Sequence, residues 1–326
     1  MRLLVTGGAG FIGANFVHRA LDRGDEVTVY DALTYAGNLA NLEGLDGQPG
    51  YRFVHADVRD ASALAETMVG HDAVAHFAAE SHVDRSLTDP ARFVATNCEG
   101  TSIVCRVALE AGIDRVLHVS TDEVYGSIDE GSFGEGDPLT PSSPYSASKA
   151  ASDLIALSYH ETFGLPVVVT RSSNSYGRFQ FPEKVIPLFV TNALMSLNLP
   201  VYGAGTARRD WLHVDDHCSG INLVFEHGEA GAVYNLGGRT AISTVELAEM
   251  ILGCVGETAS EVEHVPDRPG HDQLYAVDPG RIESLGWSPE HDLLIILDNG
   301  GEKLINDALF NGQKRIIVFL DDSSDA

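Results

Sequence analysis

The chain has 326 residues, with 44% apolar and 21% charged side chains, which excludes a disordered chain, a fibre and a coiled coil and allows one large domain or two ordinary ones. Its 47 acidic residues against 21 basic ones leave a formal charge of −26, with four lysines and no basic run. Nucleic acid and anionic membrane surfaces need a basic face that releases counterions, so both are excluded as partners. An anionic small substrate would require locally placed Arg or Lys against this global repulsion.

Leu3–Thr6 reads as a strand running into a glycine turn, not as a signal peptide. Phe11–Arg23 has helical spacing and stops at Gly24. Strands are expected at Glu26–Tyr30, Arg52–His55, Ala73–His76 and Val116–Ser120, with a helix over Thr96–Ala111. Ser142-Ser143-Pro144 opens a long helix that Gly164 closes, and Val167–Thr170 is a sixth strand. Beyond it the alternation loosens. Pro182, Pro187, Pro200, Gly203 and Gly205 read as loop positions, with helices expected over Asp216–His227 and, opened by Thr244, over Thr244–Val255, and a strand over Val233–Leu236. No stretch approaches the ~20 apolar residues that span a bilayer, so a cytoplasmic protein is expected. Cys98, Cys105, Cys218 and Cys254 have no C-x-x-C spacing; they read as free thiols, and no metal site is expected.

Strands alternating with helices imply right-handed crossovers and a parallel sheet covered on both faces. The expected fold class is α/β: a doubly wound parallel sheet of the Rossmann type with a smaller C-terminal α/β substrate-binding lobe. Residues 1–172, joined again by 212–237, would form the sheet domain. Residues 173–211 and 238–326 would form the lobe.

Gly7-Gly8-Ala9-Gly10-Phe11-Ile12-Gly13 lies between the first strand and helix. Glycines there permit a tight turn and a close pyrophosphate, which the helix N-terminus favours. Asp31, ending the second strand, would accept ribose hydroxyls and repel a 2′-phosphate, which argues for NAD. Tyr145 and Lys149 lie four residues apart on one helix face. An ammonium near the phenol favours the phenolate, a base for a sugar hydroxyl. Thr121, Asp122 and Glu123 follow the fifth strand, where open α/β sheets bind ligands, and two carboxyls there could divide acid and base work.

These motifs, with Leu33–Asn38, Ala78–Asp84, Gln180–Lys184, Arg209-Asp210-Trp211 and Asp267–Asp272, resemble the extended short-chain dehydrogenase/reductase family, and within it the dTDP-glucose 4,6-dehydratase group, over roughly residues 1–290. The resemblance implies that Tyr145, helped by Thr121 and Lys149, removes the 4-hydroxyl proton of a nucleotide hexose while C4 is oxidised by NAD. Glu123 then abstracts the C5 proton, Asp122 protonates the departing C6 hydroxyl, and hydride returns to C6. The product would be the 4-keto-6-deoxy sugar nucleotide. It further implies NAD contacts at Gly7, Gly10, Phe11, Ile12, Gly13, Asp31, Leu33, Thr34, Gly37, Asp57, Val58, Phe77, Ala78, Ala79, Ser81, Thr96, Ser120, Tyr145 and Lys149. Substrate contacts are implied at Ser81, Asp84, Thr121, Asn174, Lys184, Val185, Pro200, Tyr202, Arg209, Arg268, His271 and Tyr275.

The resemblance also suggests a homodimer through helices near 98–111 and 146–163. Ser175 and Thr244 stand where the family has Asn, and the final ~36 residues depart from its usual ending. A sugar-nucleotide 4-epimerase or decarboxylase is the alternative within the superfamily, and a non-catalytic NAD-binding scaffold the alternative outside it.

Overall fold

The computed structural model describes residues 1–267 and 272–294. In chain order, the first half contains β1 (Arg2–Thr6), α1 (Phe11–Asp22), β2 (Glu26–Asp31), β3 (Tyr51–His55), α2 (Ala61–Met68), β4 (Ala73–His76), α3 (Val83–Thr88), α4 (Pro90–Phe93), α5 (Gly100–Ala111), β5 (Arg115–Thr121) and α6 (Pro144–Phe163). There follow β6 (Val167–Ser172), β7 (Asn174–Tyr176), α7 (Val185–Leu194), β8 (Leu199–Tyr202), β9 (Arg208–His213), α8 (Val214–His227), β10 (Val233–Leu236), β11 (Ala241–Ser243), α9 (Thr244–Val255), β12 (Val262–Val265), β13 (Leu274–Tyr275) and α10 (Gly280–Glu283).

Seven strands form one parallel sheet in the order β3-β2-β1-β4-β5-β6-β10. Side chains on a strand alternate between its faces. Leu3 and Val5 accordingly join Phe16 and Val17 of α1 and Ile221 and Val224 of α8 in one core. Leu4 joins Leu64 of α2, Val104 and Ala108 of α5 and Ala156 of α6 in the other. Strand order reverses between β1 and β4, which opens a crevice beyond the carboxyl ends of the strands. A smaller four-stranded sheet carries β11-β9-β13 with β7 beside β9, and β8 pairs with β12. Tyr176, Phe189, Trp211, Leu247 and Ile251 fill the core of this second region.

Several elements differ from their sequence expectation. Pro187 lies inside α7, in its first turn, where the N–H has no intrahelical partner to lose. Pro200 lies in β8, half of a two-stranded pair, where an outward-facing N–H is not required. The helix expected from Thr96 begins instead as a wide π-type stretch, Val94–Glu99, before α5. Asn97 within it accepts from Glu80 N at 2.8 Å and donates to Ser148 Oγ at 2.8 Å, tying it to α6. Helix α9 is opened by Ser243, not Thr244: Ser243 and Glu246 form a reciprocal capping box. Ser143 and Ser146 do the same for α6, which Pro144 starts and Gly164, at φ 73°, ends.

Candidate active site

A cavity of about 480 Å³ opens at the carboxyl ends of the parallel strands. Its floor is the turn after β1. Gly7 has φ 71°, and a Cβ there would lie 2.5 Å from Ala78 N. A Cβ at Gly13 would lie 2.3 Å from the Gly7 carbonyl oxygen. Only glycine lets turn, helix and neighbouring strand approach this closely. Helix α1 starts at Gly10 with no side-chain cap and no acid in its first turn, so its N–H groups face the cavity uncompensated. Asp31 is buried at the end of β2. Its carboxylate accepts from Ala9 N at 2.9 Å and Leu33 N at 2.8 Å, which leaves lone pairs for further donors. A glycine turn, an open helix N-terminus and an acid at this spacing fit a dinucleotide.

The reactive groups gather where β5 ends. The Thr121 side chain accepts from Glu123 N at 3.3 Å, donates to Asp122 Oδ1 at 3.2 Å and hydrogen-bonds the Tyr145 phenol. Asp122 is buried, and its Oδ2 has no hydrogen-bond partner among the described residues. Burial, then the charges of Glu123 and Asp210, push its carboxyl well above the ordinary range, against the weaker pull of Thr121 and Arg209. These surroundings favour the protonated form of Asp122 beside the Glu123 carboxyl. Tyr145 is also pushed well above its ordinary value, by burial first and the Glu123 charge second; its Thr121 hydrogen bond opposes this. Lys149 enters differently than its spacing suggests. Its Nζ donates to Val119 O at 2.8 Å, and burial lowers its own pKa. The hydrogen bond from Thr121 works against burial to lower the Tyr145 phenol.

A second cluster comes from the smaller region. The Arg209 guanidinium lies 4.3 Å over the Tyr275 ring and donates to Arg208 O at 2.7 Å and Asp272 O at 3.0 Å. The Tyr275 hydroxyl donates to the Asp272 carboxylate, and Glu123 and Arg209 act on Tyr275 from opposite directions. Tyr202 reaches Asp84 Oδ2 at 3.4 Å, and Lys184 Nζ reaches Ser81 O at 3.3 Å.

Among the residues expected at a cofactor, all but Leu33 line the cavity. Leu33, at φ 49°, contributes a backbone N–H to Asp31 instead. Of those expected at a substrate, Ser81, Thr121, Asn174 and Lys184 line it, whereas Asp84, Val185, Pro200, Tyr202, Arg209 and Tyr275 stand outside the wall. Arg268 and His271 lie outside the described residues. The cavity also takes Tyr35, Glu80, Arg92, Gln180, Phe181 and Glu183, which were not expected at the site. Phe181 meets the Tyr35 ring edge-on with centroids 5.8 Å apart, and Arg85 lies 4.0 Å over that ring. The Leu33–Asn38, Ala78–Asp84 and Gln180–Lys184 motifs carried a signal for all of them but Arg92, although no single residue type did. Ser175 lines the cavity and pairs with His217 Nδ1 at 2.8 Å; Thr244 instead turns to Ala207 O at 3.3 Å.

His213, Asp215 and His291 bring potential metal-ligating atoms together. The two rings stack with centroids 4.2 Å apart and planes 25° apart. An ion bound in the plane of one ring would lie far from the plane of the other, so this arrangement does not suit chelation by both.

The family model described as GDP-mannose 4,6 dehydratase matches residues 4–298. The chain belongs to this family. It is 51% identical over 296 residues to a dTDP-glucose 4,6-dehydratase of Streptomyces niveus, covering 89% of this chain and 88% of that one. Among solved structures, the family resemblance extends to DesIV, a dTDP-glucose 4,6-dehydratase of Streptomyces venezuelae with NAD bound. The TM-score is 0.90 at 52% identity, over 94% of this chain and 96% of that one. A UDP-glucose 4-epimerase of Thermus thermophilus, in complex with NAD, superposes with a TM-score of 0.85 at 30% identity, over 94% and 98%. Among the described residues, no helix is long and apolar enough to cross a membrane.

Proposed function

We propose that the protein is an NAD-dependent hydro-lyase that converts dTDP-glucose to the 4-keto-6-deoxy sugar nucleotide. The observation that carries this reading is the pair at the end of β5: a buried carboxyl, Asp122, whose surroundings favour its protonated form, next to a second carboxyl, Glu123, in the same cavity as Tyr145. Exchange of a C4 configuration needs an oxidation base alone. Loss of water across C5 and C6 needs a base and an acid besides. The relatives at 51% and 52% identity named as dTDP-glucose 4,6-dehydratases, against 30% for the epimerase, support the same choice.

In this reading Gly7, Gly10 and Gly13 hold the pyrophosphate of NAD and Asp31 its adenosine ribose, with Phe77, Ala78 and Val58 as apolar walls. When bound, NAD supplies the two-electron acceptor for C4 and the donor that restores C6. Tyr145 takes the C4 hydroxyl proton on its phenolic oxygen, oriented by Thr121 Oγ1, with the Lys149 ammonium as its cationic neighbour. Glu123 accepts the proton that the new ketone has acidified at C5. Asp122 passes its proton to the C6 hydroxyl, which leaves as water. Lys184, Asn174 and Arg209 lie toward the substrate diphosphate, where an Arg fork pairs well with phosphate oxygens and offsets the chain's negative charge locally. Tyr275 and Tyr202 border the nucleoside.

The protein works in the cytoplasm as a homodimer in this account. The exposed apolar side chains of Leu154 and Phe163 on α6 and of Val94 support the dimer. Incubation with the dTDP, UDP, GDP and CDP derivatives of glucose, followed for ketosugar formation, tests the reading. The expected result is a ketosugar from dTDP-glucose with no external oxidant. A C4 epimer without ketone, or no conversion of any of the four, would overturn it.

A further inference from the structure

Behind Lys149 lies a network of buried polar groups that takes no direct part in the reaction scheme. Lys149 is 5% exposed, and its Nζ is held by the Val119 carbonyl of β5. One helical turn further along α6, Asp153 is fully buried. Its Oδ2 accepts from Arg171 Nε at 2.8 Å, and its Oδ1 lies 3.2 Å from His118 Nε2. Arg171 in turn donates to the Tyr125 hydroxyl at 2.8 Å, and Tyr125 donates to Asn235 Oδ1 at 2.9 Å. The chain thus runs from α6 across β6 to β10. Ser152 completes it, donating to Lys149 O at 2.8 Å and standing 3.1 Å from His118 Nε2.

The charges decide what such a chain does. A buried carboxylate is costly unless it is paired, and a buried ammonium likewise. Burial works to raise the Asp153 carboxyl, but His118, Arg171 and Lys149 outweigh it and hold the group below the ordinary range. Burial pulls the Lys149 ammonium down; Asp153 first, then Cys98, push it back up. The titratable groups set around Lys149 are Asp153 and Tyr145 on α6, Cys98 on the π-type stretch, His76 on β4, His118 on β5 and Arg171 on β6. Burial lowers the two histidines and raises the Cys98 thiol and the Tyr145 phenol. Asp153 is the anion of this set.

We propose that Asp153 is a positioning residue of the active site: fixed by Arg171, Tyr125 and Asn235, its carboxylate keeps the Lys149 amine protonated behind Tyr145. The catalytic part of this inference rests on the dehydratase reading; the ionic part does not. The chain has four lysines, so a protein labelled at lysine side-chain carbon gives a spectrum in which Lys149 is assigned by single replacements of the others. Titrated by NMR, the Lys149 signal of Asp153→Asn should change at lower pH than in the wild-type protein. That of Arg171→Gln, which leaves the carboxylate less compensated, should change at higher pH. Asp153→Glu keeps the charge while disturbing the packing, and should titrate near the wild type even if its Tm falls.

In dehydration assays the alkaline limb of kcat for Asp153→Asn should move down, costing about tenfold at the alkaline end relative to its own neutral rate, as one pH unit is tenfold in protonation. Should Asp153→Asn fail to fold, the opposite shift in Arg171→Gln still decides the matter. An unchanged Lys149 titration in the folded variants would overturn the proposal, whatever the activity. An inactive wild type with the expected titrations would overturn the dehydratase reading and leave the ionic assignment standing.

Discussion

The two sides of the cavity are built by different means. On the parallel-sheet side, residues close in sequence are placed by strand ends and glycine turns: Gly7 to Gly13 by β1 and α1, Thr121 to Glu123 by the end of β5. Just outside the wall on the smaller side, Arg209 meets Tyr275, and Tyr202 meets Asp84 of α3, each pair far apart in sequence and joined through side chains. In the proposed reading, the first side, set by backbone, fixes where chemistry occurs, and the polar side chains of the second select what enters. Replacements on the first side should therefore strike turnover or cofactor retention, and those on the second should strike apparent affinity.

The largest expected effect is at Tyr145. Tyr145→Phe removes one oxygen and little volume, and should cost about 10³-fold in kcat while the protein stays folded, as judged by ketosugar formation and thermal unfolding. Asp122→Asn should cost about 10²-fold, with elimination slowed more than C4 oxidation, seen as an accumulating ketosugar that retains its C6 hydroxyl. The same change should stabilise the fold. Because the Asp122 carboxyl is raised, the folded chain keeps a proton that the unfolded chain releases. Stability is then lost as pH rises above the ordinary carboxylate range through the raised value. The Tm gain of Asp122→Asn should accordingly be present near pH 8 and vanish near pH 3. Gly13→Ala forces a methyl against the Gly7 carbonyl; it should weaken NAD retention and cost about 1–3 kcal/mol, measured by cofactor release and denaturant unfolding. Arg209→Lys, on the other side, keeps the charge but loses the fork and the stacking on Tyr275. It should raise KM about tenfold with little change in kcat; a kcat collapse instead would erase the contrast between the two sides.

The same contrast explains what could be read from the amino acids alone. Asp31, the glycine turn and the Tyr145–Lys149 pair are legible because helix and strand periodicity turn a spacing into a direction. Strand β10 is buried on both faces but is interrupted by Asn235, so its four residues were legible as a strand though not as a continuous apolar run. Residues of the smaller region could be named only through family resemblance. Their strands, β7, β11 and β13, are two or three residues long and show no period. Pro187 and Pro200 misled for a related reason: proline forbids a helix interior and a central strand, but not a first turn or a free strand edge. Leu33 was named through family resemblance; at φ 49° it stands off the cavity wall and gives its backbone N–H to Asp31, a turn geometry that spacing does not reveal. The help of Thr121 to Tyr145 was named through family resemblance alone, because helix spacing points to Lys149 whereas the Thr121 hydroxyl arrives from the end of β5.

The central claim is that one cavity oxidises a hexose and then expels an oxygen with a neighbouring acid and base. Conversion of dTDP-glucose in D₂O, with the product analysed by mass spectrometry and proton NMR, tests it most directly. The account predicts a 4-keto-6-deoxy sugar nucleotide carrying solvent deuterium at C5, since the C5 proton is surrendered during elimination and replaced from the medium. A product that has lost water but holds its original C5 hydrogen, or one inverted at C4 with its C6 hydroxyl intact, would contradict it.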